Sequence, residues 1–140
     1  MNGKEKQKTC QERVTGELRD RIEDLRKLWD AYCEGEEEVE DLGNIFEYGL
    51  CFDYVERDAS VKGQDEPYFR YQLSYGGPSD EFRFFTGPDF EVNRIEYWFL
   101  DWFDGANIVL SGKDEALLEE IWQWFKECGS VQAEYDKAQD

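Results

Sequence analysis

Residues 68–103 read YFRYQLSYGGPSDEFRFFTGPDFEVNRIEYWFLDWF. In 68–75 the side chains alternate, with Phe69, Tyr71, Leu73 and Tyr75 on one side and Arg70, Gln72 and Ser74 on the other. A period of two is the pattern of a strand with one buried face. GGPSD (76–80) is turn chemistry, because glycine and proline supply the backbone angles of a reversal. EFRFF (81–85) resumes the alternation, TGPD (86–89) turns again, and VNRIEYWFLDWF (92–103) is the longest strand expected. Both faces of that last segment are largely apolar, so it is placed in the interior of the sheet. Tight turns between successive strands dictate an antiparallel meander, since parallel neighbours need long crossovers.

Working outward, LCFDYVER (50–57) also alternates and predicts a first strand, joined to the second by the polar loop 58–67. DGAN (104–107) reads as a turn and IVL (108–110) as a short fifth strand. On the N-terminal side, Val14, Leu18, Ile22, Leu25, Leu28, Trp29 and Tyr32 recur at steps of three and four. They make one stripe of an amphipathic helix over 14–33, with Gly35 as its stop. A short second helix is expected over 36–48, with Gly43 weakening it. On the C-terminal side, Leu117, Leu118, Ile121, Trp122, Trp124 and Phe125 predict a helix over 114–127, capped by Ser111 or Asp114 and stopped by Gly129. The fold class is therefore α+β: a four- to five-stranded antiparallel meander with N-terminal and C-terminal helices packed on one face. The organisation is a frayed polar stretch (1–12), a single α+β domain (13–129) and a polar tail (130–140).

Composition limits the function. The chain has 140 residues, with 34 acidic against 16 basic side chains and a net charge of −18. It is 40% hydrophobic and 16% aromatic, enough to build a core despite the charge. Such a field repels nucleic acid and anionic membrane and attracts basic proteins and cations. Direct phosphate-backbone binding is excluded as a leading reading. There is no histidine, so Ser–His–Asp and Cys–His catalysis are excluded. The cysteines (Cys10, Cys33, Cys51, Cys128) form no CxxC pair, which argues against zinc. They read as mostly buried free thiols of a reducing cytosol, Cys33 and Cys51 above all. No apolar run is long enough to span a membrane, and the start, MNGKEKQKTCQER, lacks a signal-peptide h-region. The expectation is a soluble protein of the bacterial cytoplasm.

The densest acidic run is EGEEEVED (34–41). Three readings compete for it. It is a solvated face, a calcium site, or a surface that imitates nucleic acid. Calcium requires regularly spaced oxygen ligands, which neither this run nor DWFDGAN (101–107) provides. Mimicry draws on the charge of duplex DNA, one per about 3.4 Å along each strand. The candidate partner-binding residues are Glu34, Glu36, Glu37, Glu38, Glu40 and Asp41, joined by Asp53, Glu56, Asp58, Asp65 and Glu66. A carboxylate enzyme is the different-class alternative, with Asp101 and Asp104 as the nearest acid pair. No phosphate loop or cofactor fingerprint accompanies them, and neither cofactor nor metal is expected.

In size, absence of histidine, and acid runs such as EGEEEVED and GGPSDEF over an aromatic-rich α+β core, the chain resembles the small acidic inhibitors that phages and plasmids encode against restriction or CRISPR systems. The resemblance rests on character and carries over no individual residue. It implies an anti-CRISPR or antirestriction protein that occupies the basic groove of a nucleic-acid-binding enzyme, with homodimerisation as a way to extend the surface. An immunity protein or antitoxin that neutralises a basic toxin, and a structural phage or plasmid component, remain beside it.

Overall fold

The structure is a computed structural model and describes residues 9–139. The element order is α1 (Cys10–Cys33), α2 (Ile45–Tyr48), β1 (Cys51–Val55), β2 (Tyr68–Ser74), β3 (Ser79–Thr86), β4 (Val92–Asp101), β5 (Asp104–Val109), α3 (Gly112–Glu127) and α4 (Ser130–Gln139). The five strands form one antiparallel meander in the order β1-β2-β3-β4-β5. The α+β meander expected from the alternation is the fold observed.

One face of the sheet builds the core. Phe52, Tyr71, Phe82, Tyr97 and Ile108 lie opposite one another across all five strands, followed by Tyr54, Phe69, Phe84 and Ile95. The stripe of α1 and the Leu117–Trp122 segment of α3 close over them. Trp122 stacks on Phe84 with ring centroids 4.8 Å apart, and its indole N–H donates to the Phe90 carbonyl at 2.9 Å. The tail after Gly129 is a helix in its own right. Val131 of α4 is buried, and Tyr135 meets Tyr54 and Phe90 beside β1.

A buried polar network fastens α1 to the sheet. Asp80 faces the helices and is 2% exposed. It accepts from Arg21 at 2.7 and 2.9 Å and from the Tyr97 hydroxyl at 2.6 Å. Arg21 also donates to Tyr48, which in turn donates to Asp24 at 2.7 Å. Among the described residues no buried side-chain nitrogen or oxygen lacks a partner.

The opposite face of the sheet carries ion pairs. Asp53, Arg70, Arg83 and Glu96 form one row across β1 to β4. Asp53 takes two hydrogen bonds from Arg70, Arg83 pairs with Glu81 at 2.7 Å, and Arg94 bridges Glu96 and Glu66. Arg83 also lies 4.0 Å above the Trp98 ring and Arg94 3.9 Å above Phe85. The β1–β2 loop, residues 56–67, folds over this face, and the Gly63 carbonyl accepts from Arg83 at 3.1 Å. A Cβ on Gly63 would sit 2.9 Å from the Trp98 ring, so the close approach requires glycine.

Three expectations are corrected, and a fourth, the cap of α3, holds for the residue but not for its side-chain bond. The described part of the frayed stretch is ordered: Thr9 and Glu12 form a capping box that starts α1 at Cys10, while residues 1–8 lie outside the described residues. Ser111 is the N-cap residue of α3, but its side chain makes no cap bond. The helix expected over 36–48 shrinks to Ile45–Tyr48. A helix through 36–41 would stack like charges on adjacent turns, which is destabilising, and the backbone at Asp41 and Gly43 has positive φ. The last hairpin turns at Trp102–Phe103 rather than at DGAN. Gly105 serves the strand, because a Cβ there would lie 2.8 Å from Leu100. Trp102 adopts a φ of 57°, and it and Phe103 are 87% and 104% exposed.

Candidate functional site: an acid-rimmed groove

α1 ends in a Schellman motif. Gly35, with a φ of 85°, donates its N–H to the Tyr32 carbonyl, and Glu36 donates to that of Ala31 at 2.8 Å. This reversal throws EGEEEVED out of the helix and across its end. A second reversal closes the run: Val39 and Gly43 exchange backbone hydrogen bonds at 2.7 and 3.0 Å. Asn44 then caps α2 by accepting from the Glu47 N–H at 3.0 Å.

The two reversals enclose a groove of about 380 Å³. Leu28, Ala31 and Ile45 contribute its apolar floor, Tyr32 and Phe46 its walls, and Glu36, Glu37 and Glu38 its rim. Phe46 is 64% exposed. It meets Tyr32 edge-on at 5.5 Å and Trp124 of α3 at 5.1 Å. Beyond Phe46 a second groove, about 340 Å³, continues over Leu50, Phe52 and Phe125. Phe46 is thus a ridge between two apolar depressions.

Glu34, Glu36, Glu37, Glu38, Glu40 and Asp41 are all exposed. Glu38 accepts from Asn44 at 3.4 Å, and none of the six forms an ion pair among the described residues. No lysine or arginine stands between Lys27 and Arg57.

The remaining candidate acids lie elsewhere, and the carboxylates of Asp53, Asp58 and Glu66 are engaged. Asp53 is held by Arg70, and Glu66 by Arg94. Asp58 accepts from the Ser60 hydroxyl and N–H at 2.6 and 3.0 Å, bonds that draw its pKa below the ordinary carboxylate value. Glu56 and Asp65 belong to the same loop, where their backbone carbonyls accept from Gln64 and Arg57. Asp53, Glu56 and Asp58 line an open depression of their own along β1.

Asp101 and Asp104 face each other in register at the end of the β4–β5 hairpin. Asp101 reaches Arg13 of α1 at 3.4 Å. Asp104 accepts the Cys10 N–H at 2.8 Å, and this bond is the main reason its pKa is lowered. Among the described residues no group of three or more cysteine or acid side chains is arranged to hold a metal.

The cysteine expectation is also corrected. Cys10 is buried, whereas Cys33, Cys51 and Cys128 are exposed. Cys33 is the last residue of α1, and Cys51 sits at the start of the edge strand. Partial desolvation raises the pKa of Cys10, Cys33 and Cys51, and neighbouring carboxylates add to it. These thiols are held in the protonated, less nucleophilic form.

Composition pointed to the acidic run but not to Tyr32, Asn44, Phe46 or Trp124, which shape the groove beneath it. Among the described residues no helix is long and apolar enough to cross a membrane. Comparison with protein-family models, with curated proteins and with solved structures finds no match.

Proposed function

We propose that this protein is an acidic inhibitor of the anti-CRISPR or antirestriction kind, acting in the cytoplasm of a bacterial host by covering the basic groove of a nucleic-acid-binding enzyme. The observation that carries this reading is the absence of any ion pair on Glu34–Asp41, among the described residues, beside a fold that pairs Arg21, Arg70, Arg83 and Arg94 internally. A run of like charge opposes folding, and no ion pair among the described residues offsets it. A basic partner would. Encounter would be fast at low salt and would weaken as salt rises.

The test is capture from bacterial lysate on the tagged protein, elution by stepped salt, and assay of the captured protein for DNA or guide-RNA binding with and without the inhibitor. The expected result is a nucleic-acid enzyme, released by salt, whose nucleic-acid binding is blocked. Reversal of Glu36, Glu37, Glu38 and Glu40 to lysine should abolish the block. Inhibition that survives this reversal would remove the run from the mechanism.

A further inference from the structure

The charge reading leaves the groove itself unused. A duplex offers its partner phosphates and sugar, and a surface that only copied those charges would need no apolar concavity between them. Here the acids rim a depression whose floor is aliphatic and whose walls are Tyr32 and Phe46. Exposed aromatic side chains beside a preformed pocket are the usual anchors of protein interfaces. Among the described residues no basic side chain lines the groove.

We infer that the groove between Tyr32 and Phe46 takes an apolar side chain from a lysine- or arginine-rich segment of a protein partner. The proposal rests on the inhibitor reading and narrows it. The partner's contribution is a protruding basic segment with an apolar anchor, not only a charged cleft. The flanking cations of that segment meet Glu36, Glu37 and Glu38, while its anchor desolvates the Phe46 wall. The carboxylates steer and orient, and the anchor sets the dissociation rate.

The probe is a lysine-rich peptide carrying two leucines one helical turn apart, compared with the same peptide bearing serines instead. Binding is followed through the ring resonances of Tyr32, Phe46 and Trp124. The leucine peptide should bind about tenfold or more tightly than the serine peptide. Phe46→Ser should erase that difference while leaving the salt-sensitive binding common to both peptides. Phe46→Leu, which keeps an apolar wall, should restore it. Phe46 is largely exposed, so both variants should fold, as an unchanged far-ultraviolet circular dichroism spectrum and urea midpoint would verify. Equal affinity of the two peptides would overturn the anchor proposal and leave the inhibitor reading standing. Failure of both peptides to bind would overturn both readings. Concentration-dependent dimerisation of the protein alone, abolished by Phe46→Ser, would assign the wall to a second copy and also overturn the proposal.

Discussion

The Tyr97 hydroxyl donates to Asp80 at 2.6 Å, on the same carboxylate oxygen that Arg21 reaches at 2.7 Å. This carboxylate joins β3, β4 and α1 in a place closed to water. Breaking a buried ion pair by removing one partner strands the other, at a cost of about 3–5 kcal/mol. Asp80→Ala should therefore lower stability by that order in urea unfolding. Tyr97→Phe should cost less, about 1.5–3 kcal/mol, because it removes one hydrogen bond to a charged acceptor.

The tyrosines set the alkaline limit. Burial, with a hydrogen bond from Tyr48 to Asp24 adding to it, pushes Tyr48 up to about 12 against the opposing Arg21. Burial also raises Tyr71 and Tyr97. A group whose folded pKa exceeds its unfolded value contributes fully below the unfolded value, near 10 for tyrosine. That contribution is lost as pH climbs through the folded value. Stability should begin to decline above pH 9, where the raised thiols of Cys10, Cys33 and Cys51 start to count, and fall steeply between 10 and 12. The phenolate absorbance of the buried Tyr48, Tyr71 and Tyr97 should appear together with the loss of helix content. Ionisation of these three at pH 10 with the helices intact would contradict this.

On the acid side the sign reverses. The Cys10 N–H keeps the Asp104 carboxylate below its ordinary 3.8. Its support of the α1 N-terminus is present above 3.8 and disappears as pH falls through the lowered value. Asp104→Ala should remove that support at every pH, seen as faster amide exchange at Cys10. The Thr9 capping box should hold the remainder of the turn, so the loss should stay local.

Salt should act with opposite signs on folding and on binding. Screening relieves the repulsion along Glu34–Asp41, so the urea midpoint should rise from low to moderate salt. Affinity for the lysine-rich peptide should fall by about tenfold or more over the physiological range. Charge reversal of Glu36, Glu37, Glu38 and Glu40 should flatten both dependences.

Trp102 holds a backbone conformation that costs a non-glycine residue about 1–3 kcal/mol. Its side chain is almost wholly exposed. Trp102→Gly should leave folding stability unchanged or raise it by up to about 1 kcal/mol, since strain relief outweighs the entropy glycine adds to the unfolded chain. A large loss would mean that the indole supports the turn.

The meander was legible because period-two alternation between GGPSD and TGPD leaves a chain few other ways to bury its aromatics. The last turn was misread because DGAN carries standard turn chemistry, whereas Gly105 is there to clear Leu100. The capping box was present as Thr9 and Glu12, three residues apart, in a stretch whose polarity suggested fraying. The acidic run was plain from composition. The groove was not, because Tyr32 and Phe46 come from two helices that meet only after the reversals at Gly35 and Gly43, and no periodicity records that meeting.

Under the proposed function, the loop laid over the arginine row would make recognition of a basic partner conditional on folding. In the unfolded chain 16 cations are interleaved with 34 anions, and a basic ligand meets attraction and competition together. In the native state Arg70, Arg83 and Arg94 are occupied with their own carboxylates, while the acids of the run after Cys33 form no ion pair among the described residues. Under the proposed function, a basic partner would bind the folded form in preference to the unfolded chain. By mass action such a partner should raise the melting temperature.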